Sequence, residues 1–403
     1  MLVKNARAFV DGKFTEKDIL IDGNRIASVA KGITCGDDEI VDARGLIALP
    51  GLIEIHAHLR EPGQTQKEDF LSGSLSAASG GYCLVYDMPN NTPKPTITSE
   101  ALEEKKRLAK KAVCEIRFHF GATQGNFEEV RKANPESLKI YMGKTTGSLL
   151  VPDSKSILAH MKNLPANRQI FVHAQDQGIL DDAGDNENRT IAAAQKGAKT
   201  AVGLAREANR KVHIPHVSSA GELGIVQSWK LATMDTCPQY LFLTREQAGK
   251  IGPQGRWSAV NPPLRSRKVV EGLWKKLNNI DAIATDHAPH LAEDKERGAQ
   301  GLPGLETALS LFLDAHSKGR ISLEWIARRF SENPAKIMGL PDYGKIKKGY
   351  IANLTLIDLK KEWVVEGGKL ATKCRWSPFE GIRLKGRAGR TICSGRTIYE
   401  LQE

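Results

Sequence analysis

The chain has 403 residues, 40% of them hydrophobic and 26% charged, which suits one large domain plus a small one. No apolar run reaches the length of a bilayer span, and the first residues carry no signal-peptide core, so a soluble, cytoplasmic protein with no membrane partner is expected. The net charge of +11 is spread over many helical stretches rather than gathered in a block, which argues against nucleic acid as a partner and suits a mild attraction for anionic small molecules.

Residues 1–50 read as short strands at 2–6, 18–22, 25–29, 40–42 and 46–49, with Asp22-Gly23-Asn24 as a tight hairpin turn. From residue 51 short apolar or β-branched runs alternate with helical patterns. Eight strands are expected, at 53–58, 82–87, 115–120, 138–142, 169–173, 211–216, 232–237 and 281–286. Helices at 70–79, 99–112, 153–162, 188–209, 221–230 and 267–278 separate most of them. Eight β/α repeats predict a closed (β/α)8 TIM barrel with its active groups at the C-terminal strand ends. Further helices are expected at 305–316, 323–331 and 334–338, after which β texture returns at 344–358, 363–365, 387–393 and 397–399. The expected fold is α/β: a barrel over 51–339 inserted between residues 1–50 and 340–403, which together form a small β-sandwich domain. Six scattered cysteines, Cys35, Cys83, Cys114, Cys237, Cys374 and Cys393, with no Cys-x-x-Cys, read as reduced core thiols.

The strand ends carry a constellation. His56 and His58 stand two apart at the end of strand one and share a face, with Arg60 at the same parity. Lys139 falls on strand four, His173 ends strand five, His216 strand six and Asp286 strand eight. Converging imidazoles and a carboxylate suit transition-metal ions. An ammonium among cations is repelled, whereas a lysine carboxylated by CO2 is an anion able to bridge two of them. Asp286 can serve both as ligand and as proton carrier. His213, three residues before His216, has the opposite parity and is expected to face the helices. His119 and His160 read as structural or exposed, and His287 as packing or support for the site.

These residues resemble the amidohydrolase superfamily and, within it, the dihydroorotases of the carboxylated-lysine type. The matching stretches are PGLIEIHAHLREPG at 50–63, KEDF at 67–70, MPN at 88–90, LKIY at 138–141, VHA at 172–174 and PHVS at 215–218. NPPL at 261–264, ATDHAPH at 284–290, GLE at 304–306 and WSPFEG at 376–381 continue the likeness. The resemblance implies a binuclear site, usually zinc. His56, His58 and Asp286 would hold one ion, His173 and His216 the other, and carboxylated Lys139 would bridge them together with a hydroxide.

The resemblance also implies the reversible cyclisation of N-carbamoyl-L-aspartate to L-dihydroorotate in pyrimidine biosynthesis, with Asp286 as general base and acid. Arg60, Asn90 and His290 would hold the substrate carboxylate, Asn261 would lie near the ring, and the lid loop 143–147 would bring Thr145 over it. Thr146 stands where the animal enzymes have an aromatic residue. Allantoinase and dihydropyrimidinase (hydantoinase) are the enzyme alternatives, and a non-catalytic scaffold relative is a third. Aspartate carbamoyltransferase is a candidate partner, and the same ligands would also accept cobalt or manganese.

Overall fold

The computed structural model describes residues 1–34, 36, 39–181 and 187–402. The expectation for Cys35 lies outside the described residues; the five other cysteines are buried free thiols.

The chain opens with β1 (Leu2–Val10), β2 (Lys13–Asp22), β3 (Arg25–Ala30), β4 (Ile40–Asp42) and β5 (Ile47–Pro50). The barrel strands are β6 (Leu52–Ala57), β7 (Tyr82–Asp87), β8 (Glu115–Phe118), β9 (Phe120–Gly121), β10 (Ser137–Tyr141), β11 (Gln169–His173), β12 (Val212–Ile214), β13 (Ala232–Thr236) and β14 (Ala282–Ile283). The chain closes with β15 (Leu354–Val364), β16 (Arg383–Cys393) and β17 (Arg396–Glu400). β5 pairs antiparallel with β15, so strands from both ends of the chain share one eight-stranded sheet, ordered β17-β16-β15-β5-β1-β2-β3 with β4 beside β1. The sheet turns back on itself: a Cβ added at Gly395, after β16, would stand 2.1 Å from the Gly23 carbonyl oxygen, at the opposite end of the strand order. Inside lies an apolar cluster with Ile19, Ile21 and Ile26 from one end and Leu354, Leu356 and Ile392 from the other.

The barrel strands run parallel. β6-β7-β8 form one run and β9 to β14 another. They close through a parallel bridge between Ala57 and His287, where His58 N–H donates to the His287 carbonyl at 2.7 Å. The third predicted strand is broken at His119, which splits it into β8 and β9, because the imidazole is spent across the barrel. Its Nε2 donates to the Ile55 carbonyl (2.9 Å), and its Nδ1 accepts from Ser137 Oγ (2.7 Å). A seven-residue helix, Phe127–Ala133, was not foreseen; among its residues only Val130 is buried, so it lacks an amphipathic signature. Among the described residues no helix is long and apolar enough to cross a membrane.

Candidate active site

His56, His58, His173, His216 and Asp286 stand at or just past the C-terminal ends of their strands, Lys139 stands in the middle of β10, and Arg60, His216 and Asp286 leave ordinary backbone geometry. Arg60, His216 and Asp286 have φ of 65°, 46° and 48°, the left-handed region that costs a side-chain-bearing residue about 1–2 kcal/mol. At each turn a buried carboxylate accepts a backbone N–H. Asp87 Oδ1 takes Leu59 N–H at 2.7 Å, Asp235 Oδ1 takes His216 N–H at 2.6 Å, and Glu54 Oε2 takes Thr285 N–H at 2.9 Å. Glu54 Oε1 also accepts from His56 N–H (2.7 Å), beside a register shift between Glu54 and Ala57. Burial raises the Glu54 carboxyl to about 8.

The nitrogen lone pairs call for a cation. Asn90 Nδ2 donates to the Thr146 carbonyl (2.9 Å), so its Oδ1 faces His58 Nδ1 (2.9 Å) and accepts that proton. His58 is left with a bare Nε2 lone pair 3.1 Å from Asp286 Oδ1, and His56 Nε2 lies 3.3 Å from the same oxygen. Burial holds both imidazoles below their ordinary pKa and therefore neutral. Ligand atoms from His56, His58 and Asp286 lie within 4.8 Å of one another. Across the cleft, His173 donates from Nε2 to Gln175 Oε1 (3.3 Å) and turns Nδ1 toward His216 Nε2, 2.9 Å away. Burial, followed by the nearby Lys139 charge, takes His173 down to about 3.

Lys139 is fully buried and its Nζ has no hydrogen-bond partner among the described residues. Burial lowers it to about 8, so a fraction of neutral amine, the form that reacts with CO2, exists near neutral pH. Neutral imidazoles with a carboxylate make a donor set that fits divalent transition metals, and the unpartnered lysine among them fits a bridging group.

The opposite side of the cleft is basic. Arg60 is buried; its Nε donates to the Pro289 carbonyl (3.1 Å) and its Nη2 lies 3.0 Å from His290 Nε2. Burial brings the guanidinium to about 10 and, with Arg60 and Lys67 beside it, His290 to about 2. Arg60, Asn90, Thr145, Thr146 and Asn261 line a cleft of about 440 Å3 together with His56, His58, Lys139, His173, His216 and Asp286. His290 does not line it: the ring backs Arg60 and meets the Gln300 carbonyl (3.0 Å) instead.

Arg60 reaches the cleft by its left-handed turn, since β6 ends at Ala57, and not by strand parity. His213 corrects the parity argument outright. It faces the barrel interior, with Nε2 2.8 Å from Asp235 Oδ2 and its ring 4.6 Å from that of Phe171. β12 ends at Ile214, Pro215 follows and His216 is left-handed, so alternation does not carry from 213 to 216. His119 and His160 are both buried and hydrogen-bonded, as structural residues, and His287 Nδ1 accepts from Gly304 N–H (3.1 Å). Sequence reasoning missed Glu54, Asp235 and Gln175. The first two had a signal, an acid inside an otherwise apolar or uncharged strand run. Tyr141 was also missed; it lines the cleft with a buried, unpartnered hydroxyl.

A parallel barrel that gathers imidazoles, a carboxylate and a buried lysine at one rim defines the class of metal-dependent hydrolases. The chain belongs to the amidohydrolase family, whose model matches residues 47–398. It is 33% identical over 405 residues to a dihydroorotase of Pyrococcus furiosus, covering 100% of this chain and 93% of that protein. It is 36% identical over 363 residues to the multifunctional protein CAD of Squalus acanthias, covering 88% of this chain and 15% of that one. Among solved structures it is similar to the L-hydantoinase (dihydropyrimidinase) of Arthrobacter aurescens, with a TM-score of 0.92 and 28% identity over 100% of this chain and 96% of that one.

Proposed function

We propose that this chain acts as a dihydroorotase, closing N-carbamoyl-L-aspartate to L-dihydroorotate in pyrimidine biosynthesis and opening the ring in reverse. The observation that carries this reading is Arg60, a buried guanidinium placed in the same cleft as the imidazole and carboxylate cluster. Its Nε is engaged by the Pro289 carbonyl and its Nη2 stands beside His290, whose Nε2 donates to Gln300, so the terminal amino groups are left to meet an anion. The full-length likeness to dihydroorotases supports the same substrate.

His56, His58 and Asp286 would hold one zinc ion, His173 and His216 a second, and Lys139, carboxylated, would join them. Such ions supply Lewis acidity and lower the pKa of water. Asp286 takes the proton of the attacking water and delivers it to the departing ring nitrogen; in the closing direction it removes an amide proton and passes it to the departing carboxylate oxygen, which leaves as water with a second proton from solvent. Arg60 and Asn90 orient the carboxylate, with His290 held behind Arg60. Thr145 and Asn261 close over the ring. We also propose that residues 1–50 and 340–403 act as one small domain beside the barrel of 51–339, in a cytoplasmic protein. Association with aspartate carbamoyltransferase belongs to the same proposal, supported by the multifunctional nature of one relative.

The likeness to an L-hydantoinase favours a second reading, a cyclic amidase for rings without a carboxylate. Turnover of dihydroorotate, dihydrouracil, hydantoin and allantoin by the purified zinc-loaded protein decides between them. Dihydroorotate is expected to be the best substrate by at least about tenfold; turnover of only the other rings would overturn the dihydroorotase reading.

A further inference from the structure

We propose that the buried ion pair Asp87–Lys105, which stands outside the reacting groups, sets the carboxylate selectivity of the site by holding both anion-facing arms of the cleft; this rests on the dihydroorotase reading. Each side chain is 1% exposed. Asp87 accepts the backbone N–H of Leu59, the residue before the left-handed Arg60. Lys105 Nζ donates to the Met88 carbonyl (2.9 Å), two residues before Asn90, and to Asn91 Oδ1 (2.8 Å), one residue after it. A small recess lies between the two arms, lined by His58, Arg60, Gln64, Asn90 and Asn91, with Asp87 and Met88 at its base. The side-chain hydrogen bonds of the pair run to these arms and to none of the metal-facing side chains directly; His58 is reached one step further on, through Asn90.

The pair has a second effect, through charge. Asp87 lies close enough to Arg60 to favour its charged form. With Lys105 in place, the Asp87 charge is paired. Without it, the Asp87 carboxylate is left buried and unpaired and competes more strongly with the substrate carboxylate for the guanidinium. Lys105 is therefore a positioning residue: it keeps Arg60 directed at substrate and keeps the 88–91 loop at the distance the carboxylate requires. Displacements of about 1 Å in such arms cost about 100-fold.

The test compares dihydroorotate with its neutral carboxamide in the zinc-loaded full chain, for wild type, K105M, D87N/K105M and the exposed neighbour K106M. In K105M, KM for dihydroorotate is expected to rise about 10- to 100-fold, with kcat and metal content within about threefold of wild type and the carboxamide values unmoved. D87N/K105M leaves no buried charge and keeps an acceptor for Leu59; it is expected to fold even where K105M does not, with a loss of selectivity of about tenfold. K106M is expected to match wild type. Full selectivity in K105M or in D87N/K105M overturns the proposal. So does a fall in kcat and metal content alongside KM, which a merely structural role would give. A wild type that does not turn over dihydroorotate overturns the functional reading, and this inference with it.

Discussion

The cleft has two walls, and they are built by different means. On one, Lys139, His173 and their neighbours stand on strands locked in register, Lys139 opposite Phe171 and Tyr141 opposite His173. Backbone pairing fixes the offset between these groups, with Lys139 two residues below the level of His173, so the ladder sets both positions. On the other wall, Arg60, Asn90, Thr145 and Asn261 stand on connecting segments with no ladder to hold them. There the work is done by buried cations. Lys105 ties down the 88–91 loop, and Lys295 Nζ donates to the carbonyls of Ala259, Ala299 and Gly301, joining the segments that carry Asn261 and Gln300. The consequence is a separation of labour. Damage to the strand wall should act on chemistry and metal content, and damage to the loop wall should act on substrate affinity.

Asp286→Ala is the sharpest way to probe that division. It removes the proton carrier and one ligand together, and kcat/KM for dihydroorotate is expected to fall by at least about 1,000-fold with the far-UV circular dichroism unchanged. A residual rate within tenfold of wild type would take Asp286 out of the chemistry. Lys139→Met comes next. Metal affinity, read by elemental analysis after dialysis, is expected to drop by at least about tenfold. The metal-free protein should meanwhile be no less stable than wild type in urea, because an unpartnered buried lysine gives way to an apolar chain. Arg60→Met tests the other wall. A hydrogen bond to a charged group contributes about 1.5–3 kcal/mol, so KM should rise about 10- to 100-fold while metal content and kcat hold. A fall in metal content in that variant would show that the two walls are not separate.

The same division explains what could be read in advance. Groups on strands repeat with period two, and eight β/α units announce a barrel, so His56, His58, Lys139 and His173 were placed from residue spacing. Asn90, His290, Asn261 and Thr145 carry no periodicity, and only a family likeness pointed to them. Even on strands, parity fails where pairing fails. The shift in β6 is filled by the Glu54 carboxyl, and Pro215 with the left-handed His216 turned His213 inward. Asp87 and Lys105, 18 positions apart in sequence and joined only by the fold, left no local pattern to notice.

Beneath both walls lies a floor where burial, not ligation, holds a histidine neutral, and it offers the smallest and cleanest test. His119 is fully buried, donating to Ile55 and accepting from Ser137, and burial takes it from 6.5 to about 3. Above pH 6.5 both folded and unfolded chains carry it neutral, and it contributes no pH dependence. As the pH falls from 6.5 toward 3, the unfolded chain takes up a proton that the folded one refuses, so stability is lost at about 1.4 kcal/mol per pH unit. Glutamine can make both hydrogen bonds but does not titrate. His119→Gln should therefore lose about 2 kcal/mol less than wild type between pH 7 and pH 5, measured by urea unfolding of the metal-free proteins. The remaining acid sensitivity of the variant would then include the other buried histidines, those of the strand wall and His160 and His290 among them, and metal binding should remove the strand-wall part while leaving the His119 contribution untouched. Equal pH dependence in the two proteins would mean that His119 is protonated in the folded barrel, and the floor would have to be counted with the charged wall above it.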